Sequence, residues 1–210
     1  MPSIPIWSIM QADLFDISPS PQPLPPPLPD GLSFRDDVLE PMVETALIAA
    51  IDSLPLAPFR FQGWLGKRLT HSFGWSYDFD RGEVAAAPPM PDWLLGARRT
   101  AANFSSVPEQ HLVQALLIRY DPGAGIGWHR DRPIFGHVVG LSLGAPATLR
   151  LRRRVGSGFQ RCSLPLPPRS IYHLTGDARH LWEHSIAPMA APRWSITFRS
   201  LSDKGRRMLE

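Results

Sequence analysis

The residues best suited to chemistry lie in the segment 127–131, which reads GWHRD and follows a glycine-rich turn. Residues i and i+2 of a β-strand project from the same face, so the imidazole of His129 and the carboxylate of Asp131 are expected to reach one metal ion. A metal site needs a further ligand, and His184 is the downstream candidate. Two histidines and one carboxylate suit non-heme Fe(II), and zinc can use the same ligands.

Two arginines near the C-terminus predict a site for an anion. Arg193 and Arg199 are six residues apart and therefore lie on one face of an extended strand, together with Ser195 and Thr197. An arginine fork binds a carboxylate through charge-assisted hydrogen bonds, and Tyr120 offers a further donor. A dicarboxylate co-substrate that also chelates the metal would need such a cation in an otherwise apolar cage. The alternative role of each arginine is a salt bridge at the rim.

The elements that must position these side chains are mainly strands. From residue 112 onward, short alternating runs are separated by Gly, Pro, Asp and Ala turns. Many short strands at close spacing are typical of a sandwich or jelly roll. Strands are expected over 112–120, 137–143, 147–154, 162–166, 170–174, 181–187 and 193–200.

Two helices are expected earlier in the chain. Apolar residues at three- and four-residue spacing predict the first helix over 40–54, with Pro41 in its first turn. Its apolar stripe needs a sheet or another helix to cover it. The second helix is expected to start at Asp92 as its N-cap and to run to about Ala102. The stripe of the first helix consists of Val43, Leu47, Ala50, Ile51 and Leu54.

The stretch from 61 to 79 combines aromatic and basic side chains. Phe73, Trp75 and Tyr77 alternate as in a half-buried strand, and Arg68 precedes them. Aromatic rings beside cations form a platform for stacked bases, which makes these four residues candidates for substrate binding. The alternative is that the rings fill the core.

The charge distribution adds a second candidate surface. The net charge of +3 does not by itself indicate a nucleic-acid binder. Arg150 and Arg152, however, belong to a cluster of four arginines between 150 and 154, and residues 204–210 form a basic tail. Such clusters can follow phosphates electrostatically, with a solvated strand face as the alternative.

The bulk composition indicates one globular domain. The chain has 210 residues, of which 43% are hydrophobic and 20% charged. Cys162 is the single cysteine, and no window reaches the roughly 20 apolar residues of a membrane helix, so a cytoplasmic protein without membrane contact is expected. Prolines concentrated between residues 19 and 29 predict an extended arm over 1–32.

The motifs together resemble one known family, the AlkB-type Fe(II)/2-oxoglutarate dioxygenases. They are LIRYDPG at 117–123, HxD at 129–131, GDAR at 176–179 followed by Trp182 and His184, and RxSxTxR at 193–199. The resemblance covers about residues 11–202 and is firmest from 112. It implies an α+β, mainly β fold: a double-stranded β-helix, or jelly roll, with N-terminal helices packed on one side. The domain would span 33–203, with a β-rich nucleotide-recognition lid at about 60–82 and a catalytic core at about 112–200.

The same resemblance implies a monomeric enzyme that oxidatively dealkylates nucleobases in DNA or RNA, consumes 2-oxoglutarate and O2, and releases succinate, CO2 and formaldehyde. His129, Asp131 and His184 would hold Fe(II). Arg193 and Tyr120 would bind the distal carboxylate of 2-oxoglutarate, and Arg199 would lie near its chelating end. A base reaches such a pocket only from a single strand or after flipping from a duplex.

Three departures from the family pattern bear on co-substrate and substrate. Ile118 and Ser195 stand where the family has asparagines, and the loss of both amides predicts weaker or differently supported 2-oxoglutarate binding. The residues RPIF after Asp131 lack the acidic residue with which the bacterial prototype reads its base. Two alternatives therefore stand: the same iron chemistry on a protein, lipid or small molecule, or a non-enzymatic jelly-roll binding module.

Overall fold

The computed structural model describes residues 27–61, 64–78 and 83–208, so the expected proline-rich arm lies outside the described residues up to position 26. In the described ranges the helices are α1 (Pro41–Asp52), α2 (Asp92–Ser105), α3 (Gly176–His180) and α4 (Asp203–Arg207), with a 3-10 turn at Glu109–His111. The strands are β1 (Leu32–Arg35), β2 (Ala57–Phe61), β3 (Trp64–Phe73), β4 (Trp75–Asp78), β5 (Glu83–Ala86), β6 (Leu112–Tyr120), β7 (Ile126–His129), β8 (Phe135–Gly144), β9 (Ala147–Val155), β10 (Gly158–Leu166), β11 (Ser170–Leu174), β12 (Glu183–Ile186) and β13 (Arg193–Leu201).

Two antiparallel sheets form the body of the molecule. The larger sheet has seven strands in the order β1-β11-β8-β13-β6-β3-β2, and the smaller has four in the order β10-β9-β12-β7. β4 and β5 form a separate two-stranded ribbon. Neighbouring strands are often distant in the chain, as in a jelly roll, and this architecture confirms the predicted fold class.

Alternation along the strands of the larger sheet divides its side chains between two cores. On β13, Ile196 and Phe198 point to the outer core, which α1 and α2 cover. Ile118 of β6 points the other way, into the core between the two sheets, which also contains Leu149 and Leu151 of β9. The polar residues of β13 therefore lie on the face between the sheets.

The helices differ from expectation in their details. Leu47 and Ile51 of α1 are buried as predicted, but Val43 is 43% exposed. Asp92 is the first helical residue of α2 and Pro91 occupies the N-cap. Asp92 therefore acts through its charge at the positive end of the helix dipole and not as the cap. No helix in the described part of the chain is long and apolar enough to cross a membrane.

The strands also differ from expectation: β7 is not among the strands expected from residue 112 onward, β10 begins at Gly158 and not at 162, and two short helices alter the C-terminal part of the chain. The strand expected over 181–187 is confined to β12, because the N–H groups of Leu181 and Trp182 donate to the Asp177 carbonyl at the end of α3. The stretch expected to be a basic tail begins with α4, where the Ser202 hydroxyl accepts the Gly205 N–H and caps the helix. A Cβ on Gly205 would lie 2.2 Å from the carbonyl oxygen of Ile134, so only glycine allows this close packing.

Candidate metal and co-substrate site

The pairing of β7 with β12 brings the two predicted histidine ligands together. His129 and His184 are direct partners in the antiparallel register, and their ring centroids are 4.2 Å apart. Nδ1 of His129 lies 2.9 Å from the carbonyl oxygen of Gly127, which can only accept a hydrogen bond. Nδ1 therefore carries the hydrogen, and Nε2 keeps a lone pair for a metal.

Asp131 joins the histidines by a different route from the predicted one. β7 ends at His129 and Asp131 lies in the loop after it, so the prediction that both lie on one strand is wrong. The carboxylate is held from the larger sheet, where Arg199 Nη2 donates to Asp131 Oδ1 at 2.7 Å. The other oxygen, Oδ2, is buried without a hydrogen-bond partner among the described residues and lies 3.7 Å from Nε2 of His184. A buried acceptor without a donor is costly unless it binds a cation.

The protonation states of these three side chains fit Fe(II). Burial, the largest single influence, would raise the pKa of Asp131, but the neighbouring groups together, Arg199 first among them, outweigh it and hold this pKa well below its usual value. Burial lowers the pKa of His184 to about 3 and also lowers the pKa of His129. The site thus offers two neutral imidazoles and an ionised carboxylate, the forms that bind metal. Within the described residues no three His, Cys, Asp or Glu side chains are close enough together to hold a metal ion as they stand. His129, Asp131 and His184 would therefore have to move closer together to bind one.

The predicted co-substrate residues share one face of β13 and its neighbour β6. Arg193 pairs with Tyr120, and its guanidinium carbon lies 5.1 Å from the centre of the tyrosine ring. Arg193 is 2% exposed, and its Nε donates to Ser142 Oγ at 3.2 Å. Arg193, Ser195, Thr197 and Arg199 all line one cavity, which confirms that they lie on a common face.

This cavity, of about 1320 Å³, lies between the sheets and is bounded on one side by β3. It is lined by His129, Asp131 and His184, as well as by the co-substrate candidates. Tyr172 lies against Gly140 on the neighbouring strand β8, where an added Cβ would approach the tyrosine ring to 2.3 Å. Burial raises the pKa of Tyr172 to about 12, so its hydroxyl stays neutral.

The candidate substrate-binding residues of the stretch 61–79 lie in different parts of the structure. Arg68 lines the cavity, with its guanidinium carbon 3.7 Å from the centre of the Phe59 ring, and burial lowers its pKa. Phe73 is 6% exposed and packs in the outer core, so it does not contact the cavity. Trp75 is not among the lining residues, whereas Ser76 is. The side chain of Tyr77 lies outside the described residues.

Arg150 and Arg152 lie on the outer face of the smaller sheet and do not line the cavity. Arg150 Nε donates to Ser185 Oγ at 3.1 Å, and Arg152 Nε donates to Glu183 Oε2 at 2.6 Å. Both partners are on β12, which carries His184 on its other face. The arginine cluster is therefore attached to the back of the strand that presents a predicted metal ligand.

Two residues that support the site had no role assigned to them from the sequence, although Arg179 lies within the GDAR motif. Arg179 is 4% exposed, and its Nη2 donates to the carbonyls of Arg132 and Phe135 at 2.6 and 2.7 Å, which holds the segment after Asp131. Gln114 accepts a hydrogen bond from Arg199 Nη1 at 3.1 Å. Gln114 could have been found from the sequence, because it is a polar residue on the same face of β6 as Tyr120.

Comparison with known proteins supports one family. The 2OG-Fe(II) oxygenase superfamily matches residues 62–206. The tRNA (carboxymethyluridine(34)-5-O)-methyltransferase alkbh8 of Xenopus tropicalis is 29% identical over 172 residues, covering 79% of this chain and 26% of that protein. The alpha-ketoglutarate-dependent dioxygenase AlkB of Escherichia coli is 27% identical over 158 residues, covering 68% of each. The structure of OsALKBH1 superposes with a TM-score of 0.62 at 16% identity, over 81% of this chain and 96% of that one. The chain spans about a quarter of the length of its ALKBH8 relatives.

Proposed function

Because the chain belongs to the 2OG-Fe(II) oxygenase superfamily, and is thus a dioxygenase that uses Fe(II), 2-oxoglutarate and O2, we propose that its substrate is an alkylated nucleobase in DNA or RNA. The observation that carries the proposal is the size and position of the cavity. Its volume of about 1320 Å³ exceeds the roughly 300–1,000 Å³ that is usual for one small ligand, which leaves room for a base beside the co-substrate. Relatives named for tRNA modification and alkylated-DNA repair support the same class of substrate.

His129, Asp131 and His184 are the proposed Fe(II) ligands. The unpartnered Oδ2 of Asp131 and the bare Nε2 of His129 supply donors of the required type. Arg199 neutralises the second carboxylate oxygen of Asp131 and fixes its orientation. A metal held by these three side chains would have positions left for a co-substrate and O2.

Arg193 and Tyr120 are the proposed binding groups for the distal carboxylate of 2-oxoglutarate. Among the described residues, Arg193 is a buried cation without a carboxylate partner. The remaining N–H groups of Arg193 and the Tyr120 hydroxyl would donate charge-assisted hydrogen bonds to this carboxylate. Arg199 lies beside Asp131, where the chelating end of the co-substrate would face it.

Iron held by His129, Asp131 and His184 would supply the oxidising chemistry, in which one oxygen atom of O2 would enter a C–H bond of the N-alkyl group and the other would enter succinate as 2-oxoglutarate loses CO2. An N-hydroxymethyl group formed in this way breaks down to the free base and formaldehyde. The chain would position the reactants in the cavity between the two sheets. Arg68 would meet the base or its phosphate at the cavity wall formed by β3.

The test is turnover by iron-loaded protein on matched pairs of methylated and unmethylated DNA, RNA and tRNA oligonucleotides. Succinate and formaldehyde should form in equal amounts and only with a methylated member of a pair. The Asp131→Asn variant serves as the inactive control. Methyl-independent 2-oxoglutarate turnover on every oligonucleotide, with product formed instead from a peptide or lipid, would assign the chemistry to another class of substrate.

A further inference from the structure

The outer face of the smaller sheet carries an unusual concentration of arginines and aromatic rings. Arg152 lies directly opposite Arg161 in the pairing of β9 with β10, and Arg154 lies opposite Phe159. Because i and i+2 residues of a strand share a face about 6.7 Å apart, the arginines of β9 form one row. This surface, called the arginine ladder below, consists of Trp128, Arg150, Arg152, Arg154, Phe159 and Arg161.

Aromatic rings hold the guanidinium groups of the ladder in place. The guanidinium carbon of Arg152 is 4.5 Å from the ring centre of Trp128 on one side and 4.5 Å from that of Phe159 on the other. Arg154 and Arg161 lie 5.1 and 5.4 Å from the same Phe159 ring. Cation–π contacts offset the repulsion between these like charges and restrict their side chains.

The ladder keeps donors and positive charge available to a partner. Within the described residues, the hydrogen bonds of Arg150 and Arg152 are made by Nε, which leaves their Nη groups as donors. Arg154 and Arg161 are exposed. Glu183 is the one carboxylate that the described structure places in an ion pair with the ladder, so positive charge remains in excess.

The ladder is continuous with the mouth of the catalytic cavity. Trp128 and Glu183 both line this cavity, and they immediately adjoin His129 and His184, respectively. Since neighbouring residues of a strand face opposite sides, the same two strands present the metal ligands inward and the start of the ladder outward. A chain that enters the cavity at this edge would pass directly onto the ladder.

We propose that the arginine ladder binds the phosphate backbone of the nucleic-acid strand whose base occupies the cavity. The inference rests on the proposed function and adds a second, sequence-independent binding surface to it. Ring-held guanidinium groups suit phosphates, because planar N–H forks bind them through charge-assisted hydrogen bonds and little side-chain entropy remains to be lost. The rings are covered by arginines, so the ladder contacts backbone and does not stack bases.

The test is the salt dependence of binding of a short single-stranded oligonucleotide, measured by fluorescence anisotropy on the full chain. The variant is Arg154→Gln/Arg161→Gln, which removes two exposed charges of the ladder. The matched control is Arg35→Gln/Arg99→Gln, which removes the same charge from the side of the larger sheet that carries the helices. Each phosphate contact on a single strand contributes about 0.7 to the slope of log K against log salt, so the ladder variant should lose about 1.4 in slope. At physiological salt, this corresponds to about tenfold weaker binding.

The outcomes separate the ladder from the proposed function. Weaker binding with a reduced slope in the ladder variant, and wild-type values in the control, supports the ladder even if no methylated oligonucleotide is turned over. Equal losses in both variants, or no loss in either, overturn the ladder while leaving any methyl-dependent turnover by the wild type untouched. Loss of binding to phosphatidylserine vesicles in the ladder variant, with oligonucleotide binding unchanged, would overturn it in favour of a membrane surface.

Discussion

Ile118 and Ser195 are direct partners across the antiparallel pairing of β6 and β13, and both line the cavity between the sheets. These are the two positions at which the chain lacks an asparagine of the AlkB-type pattern. Their pairing means that the two missing amides belong to one spot on the cavity wall, next to the paired Arg193 and Tyr120. The proposed co-substrate site therefore differs from the family pattern at one side of the cavity wall only.

Restoring one amide at this spot should tighten co-substrate binding. Ile118→Asn is expected to lower the KM for 2-oxoglutarate about tenfold, because a hydrogen bond to a charged group is worth about 1.5 kcal/mol or more. Succinate formation at varied 2-oxoglutarate measures the change, with Ile118→Leu as the size-matched apolar control. An unchanged KM in a folded Asn variant would place the co-substrate away from this pair.

Arg193 should be required for 2-oxoglutarate and dispensable for folding. Arg193→Met is expected to raise the KM about 100-fold, since it removes the charge-assisted fork. Its unfolding free energy without ligand should stay within about 1 kcal/mol of wild type, because a buried cation without a carboxylate partner is itself costly.

Thermal unfolding with and without 2-oxoglutarate separates the two effects of Arg193. A ligand at 100 times its Kd stabilises the wild type by about 2.7 kcal/mol, and the Met variant should show no such shift. Arg193→Lys, which keeps the charge but not the fork, should fall between them. A full ligand-induced shift in the Met variant would remove Arg193 from the co-substrate site.

Asp131 should be needed for metal binding but not for the fold. Asp131→Asn keeps the shape and an acceptor for Arg199 but loses the anionic oxygen, so Fe(II) affinity should fall by more than about 100-fold. Anaerobic calorimetric titration measures this directly, with far-UV circular dichroism as the check on folding. Asp121→Asn, at the partly exposed aspartate that pairs with Arg119, is the control and should bind Fe(II) like the wild type.

A histidine pair on the outer face of the larger sheet should make stability depend on pH. His137 Nδ1 and His173 Nε2 are 3.0 Å apart, and burial, followed by the proximity of His137, lowers the pKa of His173 to about 4. The unfolded chain therefore binds a proton first, so stability is fully present above about pH 6.5 and is lost as pH falls towards 4. The expected loss is about 2–3 kcal/mol.

Urea unfolding of the wild type and of His173→Gln between pH 4 and 7 measures the contribution of His173. The variant should show a shallower decline with falling pH than the wild type. Comparison of the two proteins removes the contribution of the metal-site histidines, which both retain. Parallel pH profiles would mean that the pair does not disfavour protonation of the folded state.

The periodicity of the strands predicted most of the sheet framework because one face of each strand is buried. The spacing of Arg193, Ser195, Thr197 and Arg199 correctly predicted a shared face for this reason. The position of Asp131 could not be predicted in the same way, because it depends on Arg199 reaching across from the other sheet. The position of Phe73 could not be predicted either. Alternation indicates that one face of a strand is buried, but it does not indicate in which of the two cores the Phe73 ring packs.

Gly140 limits which substitutions the wall of the cavity can accept. No side chain occupies this position, and the ring of Tyr172 fills the space that a Cβ would take. Even the methyl group of alanine would push the Tyr172 ring further into the cavity. The space available in the cavity therefore depends on the absence of a side chain at Gly140. In a saturation mutagenesis screen for activity, substitutions at Gly140 should therefore be poorly tolerated, although glycine contributes no side chain to the reaction.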